Sequence, residues 1–136
     1  MGIFKSYDIR GIFDREWNGG TARTIGRNLP GLLEARRIAV GRDVRLSSDE
    51  VFRELTRGIT EAGCDVADIG LCDTPAVYFS TAHFDMDGSV MITASHNPPE
   101  YNGLKVSRRS AVPVGYDTGL AELERRVAAG VTPPRP

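Results

Sequence analysis

The chain has 136 residues, the length of one ordinary domain, and its 40% hydrophobic and 26% charged residues match a globular protein with a proper core. Lys and Arg number 17 against 18 Asp and Glu, and the net charge of −1 predicts no general attraction to nucleic acid or to an anionic membrane. No apolar run approaches membrane-spanning length and the N-terminus lacks the apolar core of a signal peptide, so a cytoplasmic protein is expected.

Ala22, Ile25 and Leu29 have helical spacing, and Pro30-Gly31 predicts a break or kink directly after them. Ile38-Ala39-Val40 is a short strand-like run ended by Gly41-Arg42-Asp43. The next helix has a start signal in Ser47 and Glu50, spaced as a capping box. Val51, Phe52, Leu55, Ile59 and Ala62 follow on one helical face, and Gly63 stops it. Residues 64–71 read as a strand. Cys64 and Cys72 at its ends would lie up to roughly 26 Å apart at about 3.3 Å per residue, far beyond disulfide reach, so reduced thiols are expected.

Thr74-Pro75 predicts a second helix start, with Thr74 as cap and Pro75 at the first helical position. The helix itself, 76–82, is largely apolar and reads as buried, with His83 as an ordinary C-terminal helix histidine. Asp85-Met86-Asp87-Gly88 reads as a surface turn leading into a strand at 89–92. Leu104 to Val106 can form another strand, and Leu120, Leu123 and Val127 keep helical spacing up to Gly130. Such alternation of strands and helices is the mark of an α/β layered domain, assigned to residues 1–130, with 131–136 as a linker or frayed tail.

Three polar segments carry the chemistry: Tyr7-Asp8-Ile9-Arg10-Gly11; Thr93-Ala94-Ser95-His96-Asn97-Pro98-Pro99, straight after an apolar strand; and Tyr101-Asn102-Gly103-Leu104-Lys105 behind it. Ligands of α/β sheets gather beyond the carboxyl ends of strands, where the second segment sits. Its paired prolines stiffen a short excursion that holds a hydroxyl, an imidazole and an amide, and Lys105 returns on the next strand. An ammonium and a guanidinium beside such a loop suit a phosphate dianion. Adjacent Ser95-His96 makes a poor hydrolase pair, there is no G-x-S-x-G elbow, and no G-x-x-x-x-G-K-[ST] phosphate loop is present. Arg42 and Asp43 read equally as a strand-end ion pair or as neighbours of the site.

These strings, together with Val40-Gly41-Arg42-Asp43 followed by Arg45 and Ser47, and with Thr74-Pro75, resemble the α-D-phosphohexomutases of the phosphomannomutase/phosphoglucomutase branch, in order and spacing over about residues 4 to 128. The resemblance implies a three-layer α/β/α sandwich with a mixed, mainly parallel central sheet, of the phosphoglucomutase first-domain type. It implies that Ser95 carries a phosphoryl group exchanged with a hexose phosphate (mannose or glucose phosphate) through a hexose 1,6-bisphosphate intermediate. His96 and Lys105 are implied for acid/base and electrostatic work, Arg10 and Asn97 for steadying the phosphoryl group, and Tyr7 for the sugar side. Magnesium is implied at the phosphoryl oxygen on Ser95, with its other ligands in a following domain.

Family members have four domains, and the metal loop, the sugar-recognition loop and the C-terminal phosphate loop have no counterpart in these residues. A fragment that is not catalytic alone is therefore expected, needing the missing domains of its parent. A stand-alone, non-catalytic binding or interaction domain of the same fold is the alternative.

Overall fold

The computed structural model describes residues 2–130, so the tail read as a linker lies outside the described residues. The elements run β1 (Ile9–Ile12), α1 (Gly19–Leu33), β2 (Arg37–Arg42), α2 (Ser48–Glu61), β3 (Asp65–Leu71), α3 (Thr74–His83), β4 (Gly88–Ile92), β5 (Tyr101–Arg108), β6 (Val112–Pro113) and α4 (Leu120–Ala129). The strands form one sheet in the order β1-β5-β4-β2-β3, with β6 added to β5. β3, β2 and β4 are parallel, joined through helices; β4-β5, β5-β1 and β5-β6 are antiparallel.

Alternation along the strands sorts their side chains between two faces. Ile38, Val40, Val90, Ile92, Leu104 and Val106 join Ile25, Leu29, Leu55, Ile59, Leu120 and Leu123 in one core beneath α1, α2 and α4. Ala39, Gly41 and Met91 point the other way, towards α3, where a Cβ on Gly41 would come within 2.5 Å of Val77. Helices on both faces make the three-layer sandwich. Cys64 is buried and Cys72 half-buried, and they flank β3 at its two ends. Among the described residues no helix is long and apolar enough to cross a membrane.

The structure departs from the local expectations at four places, each for a tertiary reason. α1 does not break at Pro30 but runs on to Leu33. The ring forfeits one hydrogen bond near the helix end, while Leu29, Pro30 and Leu33 are all buried, and that packing holds the last turn. Ser47 caps nothing: it is helical at φ −80° and makes no side-chain cap bond, its Oγ accepting instead from Asn102 Nδ2 at 2.8 Å. At α3 the cap is Asp73, whose carboxylate accepts from Ala76 N at 3.0 Å, so Thr74 is already in the helix. α3 is also less buried than its composition suggested. It covers its sheet face alone, buries Val77, Ser80 and Thr81, and leaves Phe79 and Phe84 largely exposed. His83 stacks on Phe79 with ring centroids 4.8 Å apart.

The turn before β4 is held by Asp87, whose Oδ2 accepts from the backbone N–H of Arg36 at 2.9 Å and of Arg37 at 3.1 Å. These bonds, the one from Arg36 first, lower the pKa of its carboxyl, with the Arg109 guanidinium adding to them. A carboxylate whose folded pKa is depressed stabilises the fold fully above its unfolded value, about 3.9, and that contribution is lost as pH falls through the folded value. Asp87→Asn is accordingly expected to lower stability at neutral pH and to flatten the acid limb of a stability–pH curve. An unchanged slope below about pH 4 would show that Asp87 contributes nothing there.

Candidate functional site

β4 is buried along its whole length and ends at Ile92, so the chain emerges from the core at Thr93 and must turn before β5 begins at Tyr101. Ser95 sits on this turn at φ 54°, in the left-handed region. That conformation costs a side-chain-bearing residue roughly 1–2 kcal/mol, a strain of the kind concentrated at functional sites. The Ser95 N–H donates to Thr93 Oγ1 at 3.0 Å and Asn97 N to the Ala94 carbonyl at 3.0 Å. Ser95 and His96 are exposed, whereas Thr93 and Ala94 behind them are buried.

The first polar segment reaches the loop through strand pairing. Arg10 is opposite Gly103 in the β1-β5 ladder, and Ile9, opposite Leu104, turns into the core. Asp8 and Arg10, flanking Ile9, therefore share the face that Lys105 uses. A glycine is needed at 103 because a Cβ there would meet the Ile9 carbonyl at 2.3 Å and the Thr93 carbonyl at 3.0 Å. The Asp8 carboxylate is buried and pairs with Arg10 at 2.5 Å and with Lys105 at 3.6 Å. Arg10 Nη1 donates to Asn97 Oδ1 at 2.7 Å, which links β1 directly to the loop. Two cations share one carboxylate, so the group keeps a surplus positive charge, and Arg10 Nε is buried without a hydrogen-bond partner.

Two hollows meet at this link. One, of about 530 Å³, is lined by Lys5, Ser6, Tyr7, Asp8, Arg10 and Lys105. The other, of about 270 Å³, is lined by Asp43, Val44, Arg45, Ser95, Asn97 and Pro99. Of the residues expected from the sequence, Tyr7, Arg10 and Lys105 are thus together on one side, Ser95 and Asn97 on the other, and the Arg10–Asn97 bond joins them. His96 lines neither hollow. Tyr7 is 84% exposed and offers its ring to the first hollow from the rim.

Sequence reasoning missed two contributors. Asp8 has no task legible in its own string, although alternation about Ile9 places it with Arg10. Arg42 and Asp43 do not pair with each other: Arg42 binds Asp49 and Asp68 and lies over the Phe52 ring, and Asp43 instead turns to Arg45 at 3.3 Å. Arg45 then reaches the loop, donating to the carbonyls of Pro98 (2.7 Å), Asn97 (2.8 Å), Ser95 (2.9 Å) and Tyr101 (3.0 Å).

The arrangement can place an exposed hydroxyl on a stiff loop next to a cationic group, which suits the acceptance of an anionic group by the hydroxyl oxygen. It does not make a magnesium site from its own side chains. Among the described residues no group of three or more His, Cys, Asp and Glu could hold a metal ion, and the Asp8 carboxylate is already engaged by two cations.

Residues 1–132 match the family model for phosphoglucomutase/phosphomannomutase, alpha/beta/alpha domain I. A phosphomannomutase of Escherichia coli is 46% identical over 131 residues, covering 96% of this chain and 29% of that protein. A phosphomannomutase of Klebsiella pneumoniae is also 46% identical over 131 residues, with 96% of this chain and 83% of the other covered. The crystal structure of a phosphoglucomutase/phosphomannomutase family protein from Burkholderia thailandensis superposes with a TM-score of 0.84 at 34% identity, over 97% of this chain and 31% of that one. The chain thus spans less than a third of the length of the Escherichia coli relative and of the Burkholderia structure.

Proposed function

The chain belongs to the phosphoglucomutase/phosphomannomutase family as its alpha/beta/alpha domain I, and from that premise we propose that Ser95 is the phosphoryl carrier of a cytoplasmic phosphohexomutase. The observation that carries this reading is the exposed Ser95 hydroxyl, held in a left-handed turn at the end of a buried strand and tied to Arg10 through Asn97. In the step assigned to it, Ser95 Oγ attacks a phosphorus of a hexose 1,6-bisphosphate. The Oγ–P bond forms as the bond from phosphorus to the sugar oxygen breaks, and the serine proton passes to the departing oxygen. Transfer from Ser95 to the free hydroxyl of a hexose monophosphate makes the bisphosphate again. After that bisphosphate turns around, its other phosphoryl group returns to Ser95, which exchanges the 1- and 6-phosphates.

Phosphoryl transfer depends mostly on positioning and charge neutralisation. Arg10 and Lys105 supply positive charge, Asn97 is aimed by Arg10, and Tyr7 lines the sugar side. His96, exposed on the same loop beside Ser95, is assigned in this reading as the acid/base group that shuttles the serine proton. Magnesium would draw from this chain one ligand, the phosphoryl oxygen on Ser95. Its carboxylates and the loops that choose between mannose and glucose phosphate belong to sequence outside these 136 residues. Residues 1–130 are proposed as one unit, able to carry the phosphoryl group without completing the mutase cycle.

The test is the half-reaction. Phosphorus NMR of a hexose 1,6-bisphosphate mixed with an equal amount of the chain and magnesium is expected to show stoichiometric conversion to hexose monophosphate, with the missing phosphoryl group on protein. Bisphosphate that persists unchanged, or that releases only inorganic phosphate, would count against the carrier reading.

A further inference from the structure

We propose that Arg45, braced by Asp43, is the positioning residue that holds the Ser95 loop in the shape required for transfer; this rests on the reading of Ser95 as phosphoryl carrier. The loop cannot support itself. Pro98 and Pro99 have no N–H, and its internal backbone hydrogen bonds are those from Asn97 N to Ala94 and from Tyr101 N to Pro98. Arg45 supplies what is lacking. A guanidinium carries five N–H donors in a planar fork. Here Nη1 and Nη2 spend theirs on the carbonyls of Ser95, Asn97, Pro98 and Tyr101, and Nε faces Asp43 Oδ2. One side chain thereby fastens both ends of the turn to a common point.

That point is itself fixed. Asp43 Oδ1 accepts from Arg45 N at 3.1 Å and from Ser48 Oγ at 2.7 Å, which locks the guanidinium and its own backbone to the end of β2 and the start of α2. The far side of the loop is tied to the same helix start, since Asn102 Nδ2 reaches Ser47 Oγ at 2.8 Å and Ser48 Oγ at 3.1 Å. Arg45 and Asp43 are largely enclosed, with 13% and 21% of their side chains exposed. Arg45 bonds the main-chain carbonyl of Ser95, so it acts through the position of the serine. A carrier that accepts and returns a phosphoryl group in two directions needs its oxygen at one place in both, and a misplacement of about 1 Å can cost about 10²-fold in rate. Lysine cannot substitute. Its three donors radiate from a single nitrogen and cannot span these acceptors.

The experiment compares wild type, Arg45→Lys and Arg45→Ala by amide hydrogen exchange and by the rate of Ser95 phosphorylation from a hexose 1,6-bisphosphate with magnesium. In Arg45→Lys the amides of Ser95, Asn97 and Tyr101 are expected to exchange at least about tenfold faster, with β2 and β4 unchanged, because only the loop opens. Phosphorylation is expected to slow by about 10²-fold. Added methylguanidinium should restore part of both in Arg45→Ala and neither in Arg45→Lys. Unchanged loop exchange in Arg45→Lys would overturn the proposal, as would faster exchange of every amide alike, which marks a merely structural role. A loosened loop with phosphorylation at the wild-type rate would overturn the positioning role and leave the carrier reading standing. A wild-type chain that takes no phosphoryl group would overturn the carrier reading and this role with it.

Discussion

If Ser95 is the phosphoryl carrier, Ser95→Ala is expected to abolish phosphoryl uptake from a hexose 1,6-bisphosphate, a loss of at least about 10³-fold, because alanine has no oxygen to form the covalent intermediate. The fold is expected to survive. Ser95 is exposed, its backbone bonds to Thr93 Oγ1 and Arg45 do not involve its hydroxyl, and alanine at φ 54° bears about the same left-handed cost. The change in stability should therefore stay within about 0.5 kcal/mol. Intact mass after incubation reads the uptake, and a thermal melt reads the fold. Uptake by Ser95→Ala at the wild-type rate would move the carrier to another residue.

Gly58→Ala is expected to be the most damaging small change to the scaffold. α1 and α2 cross at two glycines: a Cβ at Gly58 would lie 2.1 Å from the Arg23 carbonyl oxygen, and one at Gly26 would lie 2.2 Å from that of Leu55. Both obstacles are backbone, so the helices must separate, disturbing Ile25, Leu29, Leu55 and Ile59 in the core. Overpacking of this kind costs about 3 kcal/mol, or about 10 °C in Tm for a domain of this size. Gly31→Ala is the control. It lies in α1, the helix that Gly58 packs against, is exposed, and its Cβ would meet only the flexible end of Arg126 at 3.3 Å. Helix propensity then predicts a gain of about 0.5 kcal/mol. Equal effects at the two positions would mean that the α1-α2 crossing is not backbone-limited.

Periodicity located most of the helices because each buries one stripe, and the central strands are legible as short apolar runs because both of their faces are covered. It failed where a contact distant in sequence outbid a local preference. Ser47 and Glu50 have capping-box spacing, yet the Ser47 hydroxyl is taken by Asn102, 55 residues away. Pro30 should end a helix, yet the core it faces retains the turn. The apolar composition of α3 suggested burial, but one helix on a sheet face has only one side to bury.

The candidate site divides in the same way. The Ser95 loop was legible because a buried strand, a hydroxyl and two prolines are contiguous. The bond from Arg10 to Asn97 spans 87 residues and depends on the β1-β5 register, which no local window contains. Arg45 stood in a recognised string but gave no local hint of its task, since all its carbonyl acceptors lie more than 49 residues further on.

The most direct measurement is tandem mass spectrometry of the chain after incubation with a hexose 1,6-bisphosphate and magnesium, with every serine and threonine peptide resolved. A single phosphoryl group on Ser95, absent when the bisphosphate is omitted, is the predicted result. A phosphoryl group on any other residue, or none on Ser95 while the bisphosphate is consumed, would contradict the account.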